Sequence, residues 1–462
     1  MSRAWIVGGA VRDDLLGRPV TDVDIVVEDE HEPAARALAE HVGGPVFRLS
    51  ETFGAWRVID RRGGRVYDLS SLHGGGIEDD LARRDFSVNA MARPLADSSA
   101  QALAGGAAAV GAQGDLIDPL SGRADLEAGV LRVLGVAAYE ADPLRPLRLA
   151  RFAAELGFAP DPETERLTAQ AAPRVAEAAG ERVFAELRRL VLAPGVLHGL
   201  ALADRLGLLR AVLPELADLH DVEQSHYHHL DVYGHTIEVL ERLIELEAQA
   251  TGRVRAALDE PLADELTRGQ ALRFGALLHD IGKPATHALR EGGRVTFIGH
   301  DRLGQEMIAE LGRRLRTSTR LSSFLGNLAR HHLVLGFLVH ERPLDRRDVY
   351  RYLERTSPVS VEVTLLSCAD RLATRGRKAD EAIAAHLELA DQLMEAALDW
   401  REHGPPRPPV RGRELAQALG LEPGPELGRL LAQLTEASYA GEVQTRDEAL
   451  AYARALRHNP AG

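Results

Sequence analysis

The 462-residue chain contains one cysteine, Cys368. That excludes a disulfide framework within the chain and a cysteine-built zinc site. The opening MSRAWIVGGAVRDD has no basic stretch ahead of an apolar run, so no secretory leader is expected. The expected compartment is the reducing cytoplasm. No stretch approaches the roughly 18 uninterrupted apolar residues of a membrane span, and no membrane partner is expected. Lysine is nearly absent: of 55 basic residues, two are lysine, Lys283 and Lys378. With Ala and Leu also abundant, that bias reads first as GC-rich coding. Positive charge is in deficit as well, 55 bases against 69 acids for a net −14. A wholesale polycation is excluded, and any nucleic-acid contact must come from local basic patches.

What is present is an ordinary hydrophobic fraction, 45%, in a chain long enough for several cores. Up to about residue 122 strand and helix signals alternate. Trp5–Val7, Val23–Val27, Val46–Leu49, Trp56–Asp60 and Arg65–Leu69 read as strands, and Val11–Leu16 and Glu32–His41 as helices. Beyond residue 122 helical periodicity dominates, as in Leu144–Leu156, Glu163–Ala171, Glu181–Leu192 and Val196–Leu206. Residues 97–117, small and nearly featureless, read as a flexible surface insertion, and 402–412, with four prolines, as a semi-rigid linker. The expected organisation is an α/β head with a mixed sheet (1–122), then an all-α remainder: a neck (123–215), a third helical domain (216–400), and a linker with a helical tail (401–462).

Gly8-Gly9 follows a strand and opens a helix, which lets the backbone approach an anion and aims helix N–H groups at it. Arg12, one turn on, can fork onto a phosphate. Asp22 and Asp24 lie two apart on a strand and so share a face. Two carboxylates beside a phosphate cradle suit Mg²⁺ bridging to phosphate oxygens, and Asp68, on a separate strand, can complete the cluster.

These residues carry a resemblance. GGAVRDDLLGRPVTDVDIVV resembles the first motif of the class II tRNA nucleotidyltransferases and bacterial poly(A) polymerases, in the polymerase β superfamily. EDDLARRDFSVNAMA and DPLSGRADLEAGVLRVLG resemble the second and third motifs, and ADPLRPLRLARFAAELGF and ERVFAELRRLV the fourth and fifth. The resemblance implies that Asp22 and Asp24 hold Mg²⁺, with Asp68 assisting. It implies that Gly8, Gly9 and Arg12 bind triphosphate, and that Arg84, Asp85 and Asn89 bind phosphate and ribose. It further implies that Asp142 and Arg145 select CTP and ATP without a template, by offering an acceptor and a planar fork to the base edge. Arg148 and Arg151 continue that helix stripe. From the residues alone, Asp142 also reads as a helix N-cap followed by Pro143 at the first helical position. Pro146 is unexpected inside a first turn and can displace the helix start.

Downstream, His235, His279, Asp280 and Asp370 sit in helical surroundings, and His300, His331 and His332 are further candidates. Imidazoles and carboxylates projecting from several helices suit a divalent metal of unspecified identity. DVYGHTIEVL, ALLHDIGKPAT and LSCADRL resemble an HD domain, a superfamily of metal-dependent phosphohydrolases. The resemblance leaves open whether that module acts on RNA-end phosphates or serves as a scaffold. In a chain that replaces lysine almost everywhere, Lys283, three residues after Asp280, suggests a point charge for phosphate. The acid-free stretch 313–330, with five arginines, is a candidate RNA-contacting surface.

The expected activity is template-independent extension of tRNA 3′ ends from CTP and ATP with pyrophosphate release. Only residues 69–80 lie between Asp68 and Leu81 of the second motif. In CCA-adding relatives a longer flexible loop there is associated with the switch from C to A addition. The short loop favours a CC-adding enzyme over full CCA addition, and both over a poly(A) polymerase. A chain acting mainly as an HD phosphohydrolase is the remaining alternative.

Overall fold

A computed structural model describes residues 3–28, 30–49, 54–108, 116–224, 230–290, 293–374 and 379–458; Lys378 lies outside them. The chain forms two compact units, Met1–Val212 and Leu213–Gly462.

The first unit is built on β1 (Ala4–Val7), α1 (Gly9–Leu15), β2 (Asp22–Val27), α2 (His31–Val42), β3 (Val46–Arg48), β4 (Trp56–Asp60), β5 (Arg65–Ser71), α3 (Ile77–Ala82) and β6 (Ala92–Pro94). Six strands form one mixed sheet in the order β3-β4-β5-β2-β1-β6. β2 and β5 run parallel and the other neighbours antiparallel. In β2, Val23 and Ile25 are buried while Asp22 and Asp24, which alternate with them, are exposed, the period-2 signature of a half-covered strand.

Residues 97–117 are not a featureless insertion. They contain α4 (Ala100–Ala108), which packs on α2 and seats Leu103 at 0% exposure. Small side chains there allow close helix packing; residues 109–115 fall outside the described set. After α5 (Gly122–Ala128) come α6 (Val136–Ala141) and α7 (Arg145–Leu156). Pro146 does displace the helix start: α7 begins at Arg145 with the proline in its first turn. Asp142 is therefore the C-cap of α6 and not the N-cap of α7. Then follow α8 (Pro162–Ala171), capped by the Asp161 carboxylate on the Thr164 N–H, α9 (Gly180–Leu192) and α10 (Val196–Arg205).

The second unit is helical, with two short hairpins that periodicity does not announce, Pro261–Ala263 with Leu266–Thr267 and Ala288–Arg290 with Arg294–Thr296. Its main helices are Val232–Gln249, Arg268–Leu278, His300–Leu315, Thr319–His331, Arg346–Thr356, Ser360–Leu372 and Ala379–His403. A Cβ on Gly282 would fall on the backbone carbonyl of His300, so only glycine lets the turn after Asp280 approach the helix that starts there. Cys368 is buried in this helical core. The tail helices Gly412–Leu419, Pro425–Ala440 and Arg446–His458 close around a core of their own, which includes Val410 from the proline-rich linker.

Candidate active site and a second metal-type centre

The register of the sheet assembles the first site. Asp24 pairs with Val7 on one side and Asp68 on the other, and Asp68 pairs with Arg57 on β4. Gly8 follows Val7 at φ +71°, and a Cβ there would lie 2.7 Å from Arg84 Nη1 and 3.4 Å from Asp24 Oδ2. Glycine is thus required both for the turn and for the approach of these two charges. Asp24 faces a cleft whose walls reduce its hydration. That raises its pKa above the ordinary carboxylate value, with Asp68 and Asp22 adding to the effect and Arg84 and Arg148 opposing it.

Around the cleft the ionic groups hold one another. Arg12 donates to Asn89 Oδ1 at 2.7 Å and to Asp13 at 2.9 Å. Asp85 is buried. Its Oδ1 accepts from the Phe86 N–H (2.8 Å) and Asn89 Nδ2 (3.0 Å), and its Oδ2 lies 2.8 Å from Arg148 Nε. Burial alone would raise its pKa, but Arg148, Asn89 and the Phe86 N–H outweigh that and lower it. Arg84 reaches Asp80 at 3.3 Å. Gly8, Gly9, Arg12, Asp22, Asp24, Arg84, Asp85, Asn89 and Arg148 all line one cavity of about 200 Å³.

An adjoining cleft of about 710 Å³ is lined by Asp24, His73, Arg84, Asp85, Asp142, Arg145 and Arg148 among others. Asp142 accepts from the Leu144 N–H at 3.1 Å and from Arg182 at 2.7 Å. Arg145 donates to the carbonyl of Ala138 at 3.0 Å and of Arg84 at 3.3 Å. Arg151 also borders the smaller cavity, but it is 1% exposed, stacked on Phe152 and paired with Glu186 (2.5 Å) and Glu155 (3.0 Å). Sequence reasoning missed Arg57, Asp80 and Arg182; the Arg57 and Arg182 contacts are cross-strand and long-range, while Asp80 meets Arg84 one helical turn on, a spacing that was readable.

The second centre gathers His235, His279, Asp280 and Asp370, and adds His300 and His332. Asp280 is the hub: His279 Nε2 lies 3.0 Å from Oδ2, and His300 and His332 Nε2 lie 3.4 and 3.7 Å from Oδ1. His279, His300 and His332 each place Nδ1 2.7–2.8 Å from the carbonyl three residues earlier. A carbonyl accepts only, so Nδ1 carries a proton, and in the neutral ring Nε2 is left with a lone pair that a metal at the hub can take. His235 Nε2 lies 3.0 Å from Asp370 Oδ1. Two triads, His235-His279-Asp280 and Asp280-His300-His332, each bring three ligand atoms within 4.8 Å of one another. His331 does not join them; it is half-buried, and its pKa falls to about 4 through burial and the nearby Arg355 and Arg330.

These observations fit a metal: His279 Nε2 and Asp280 Oδ1 are buried without a hydrogen-bond partner, and imidazole with carboxylate is a transition-metal donor set. Despite burial, His279 and Lys283 hold Asp280 well below the usual carboxylate range. Lys283 Nζ lies 2.6 Å from Asp280 and 2.8 Å from Gln224 Oε1, above the Phe297 ring. It stands between clefts of about 310 and 970 Å³. The arginine-rich stretch 313–330 is less basic than its sequence: Arg313 pairs with Glu310, Arg314 with Glu215 and Arg330 with Asp301.

Fold and site define a nucleotidyltransferase head in one unit and an HD-type metal centre in the other. Comparison with known proteins agrees. The Poly A polymerase head domain family matches residues 4–132, the probable RNA and SrmB-binding site of polymerase A matches 157–219, and the HD domain matches 232–375. An A-adding tRNA nucleotidyltransferase of Deinococcus radiodurans is 37% identical over 97% of this chain and 94% of its own. A CC-adding tRNA nucleotidyltransferase of Thermus thermophilus is 35% identical over 97% and 92%. A solved CCA-adding enzyme in complex with ATP superposes with a TM-score of 0.65 at 21% identity, covering 99% of this chain and 92% of that one. The chain is an enzyme of the tRNA nucleotidyltransferase and poly(A) polymerase family, with a C-terminal HD domain. No helix among the described residues is long and apolar enough to cross a membrane.

Proposed function

We propose that the chain adds C residues to tRNA 3′ ends from CTP, without a template, and stops after the second. A 3′-hydroxyl attacks the α-phosphorus of CTP, a new phosphodiester bond forms, and pyrophosphate leaves. Asp22 and Asp24 are suited to hold Mg²⁺, a hard cation that needs one or two carboxylates and takes its remaining ligands from phosphates and water. The ion would lower the pKa of the attacking hydroxyl and neutralise phosphate charge. Gly8, Gly9, Arg12 and Arg84 bind the triphosphate, Asn89 holds Arg12 in place, and Asp85 and Asn89 reach the ribose. Asp142 and Arg145 face the base edge. Cytosine and adenine present an amine beside a ring acceptor, which suits that pair; uracil and guanine present a carbonyl there.

The observation that supports stopping at CC is the connection from β5 to α3. Residues 72–76 are all that separates the strand bearing Asp68 from the helix bearing Asp80, leaving no long loop beside the cleft. Similarity to relatives does not discriminate, since A-adding and CC-adding proteins stand at 37% and 35%. The test supplies tRNAs ending before C74, after one C and after CC with CTP or ATP separately. Two C additions and no A addition are expected. A added to the CC-ended tRNA would replace this reading with full CCA or A addition.

The second centre supports a metal-dependent phosphohydrolase activity, because its imidazoles already present Nε2 to a common point. Loss of phosphate release from RNA ends in Asp280→Asn, with C addition intact, is the expected result.

A further inference from the structure

The third carboxylate of the head does not stand alone. Arg57 donates Nε to Asp68 Oδ1 and Nη2 to Asp68 Oδ2, both at 2.7 Å. This is a parallel two-bond fork, the strongest geometry available to an arginine and a carboxylate. The two residues are register partners on β4 and β5, and Asp24 is the next partner along the same row. The row therefore reads Arg57, Asp68, Asp24 across three adjacent strands. Neither Arg57 nor Asp68 is fully buried, at 35% and 22% side-chain exposure, so the pair is no core staple. A partly exposed fork can add some stability, but its place in the row beside Asp24 is what calls for explanation.

An unclamped Asp68 would be free to turn toward its neighbour, making three carboxylates compete for one cation. The fork removes that freedom, since turning the Asp68 carboxylate breaks two bonds at once. It also places one positive charge against three negative ones.

Building on the head-site reading above, we propose that Arg57 is a positioning residue for nucleotide transfer. It holds Asp68 in a single orientation and offsets its charge, so that cation binding rests on Asp22 and Asp24. Asp68 keeps its remaining lone pairs for the incoming RNA end.

This assignment makes two changes move in opposite directions. Removing the guanidinium frees Asp68 and deepens the local negative charge, so the head should bind a divalent cation more tightly. The same change should slow transfer, because Asp68 leaves its working orientation. A purely structural role would weaken both.

The experiment compares the full-length protein with Arg57→Met, Arg57→Lys and Asp24→Asn. Steady-state CTP incorporation is measured on tRNA ending before C74. Binding of Mn²⁺ alone is measured by electron paramagnetic resonance, and the head's share is the binding lost in Asp24→Asn. For Arg57→Met the expected result is a kcat at least tenfold lower, KM for CTP within threefold, and Mn²⁺ binding several-fold tighter. Arg57→Lys, which keeps the charge but not the fork, should keep normal Mn²⁺ affinity and still lose kcat. An unchanged kcat, or Mn²⁺ affinity that is unchanged or weaker, overturns the proposal while leaving the head-site reading in place. An Asp24→Asn protein that transfers C normally overturns the head-site reading itself.

Discussion

Asp142 and Arg145 are each held by contacts outside the pair, Asp142 by Arg182 and the Leu144 N–H, Arg145 by two carbonyls. Rigid donors and acceptors discriminate because a mismatched base leaves a polar group unpaired. Replacing Arg145 by Ala should therefore reduce the preference for CTP over UTP by roughly tenfold or more, about the 1–3 kcal/mol of a lost bidentate contact. The ratio of kcat/KM for the two nucleotides checks it; a uniform loss with an unchanged ratio would place Arg145 outside selection. Asp85 is a different kind of residue. Its two oxygens serve Arg148, Asn89 and the Phe86 N–H in a buried setting. Asp85→Ala should cost about 3 kcal/mol, the penalty of breaking a buried pair and leaving its partners unsatisfied. Thermal unfolding of the variant measures it, and a melting temperature equal to wild type would contradict it.

At the scale of elements, part of the site was legible in the sequence and part was not, for definite reasons. Asp22 and Asp24 could be placed because a strand has period 2 and the buried Val23 and Ile25 fix its phase. The Arg57 fork could not, because the register of the β4–β5 hairpin depends on the exact form of the turn at 61–64, which its residues do not announce. Of the adjacent histidines, His332 continues the buried row Leu321, Leu325, Leu328 of its helix while His331 lies beside it. That helical phase was readable and would have chosen between them. Composition misled at 97–117, where Ala and Gly suggested a loose loop and α4 formed instead. Leu103 decides between the two. Leu103→Ala should destabilise the protein by about 2–3 kcal/mol, as for a filled core site. Urea denaturation followed by circular dichroism gives the value, and an effect under 0.5 kcal/mol would indicate that α4 is not packed in solution.

For the whole molecule, acidity is a property of pairing as well as of count. Many of the arginines lie against carboxylates of neighbouring elements, as in Arg205–Glu165, Arg347–Glu442 and Arg253 with Glu395, Asp399 and Glu402. The histidines of the second unit set a pH window. Burial pushes His332 down to about 3 and His331 and His386 to about 4. The unfolded chain takes up protons below about pH 6.5 that these three refuse when folded, so each fully buried one costs up to about 1.4 kcal/mol of stability per pH unit and the half-buried His331 less. His279 is shifted the other way: burial opposes its charge, but Asp280 outweighs that and raises its pKa. Its contribution is complete below pH 6.5 and is lost as pH rises. The metal-free protein should thus be most stable near pH 6.5, with the steeper fall on the acid side. Urea midpoints at pH 5.5, 6.5 and 7.5 after chelation check this, and a midpoint that rises from 6.5 to 5.5 would contradict it.

The buried Cys368 has a practical side. Its thiol is pushed up to about 12 by burial, so it carries almost no thiolate at neutral pH and resists alkylation. Because no other cysteine exists in the chain, a single cysteine introduced on the surface becomes the one fast-reacting thiol without any prior removal. A fluorophore or spin label placed at His73, on the rim of the nucleotide cleft, would report the arrival of CTP against a silent background.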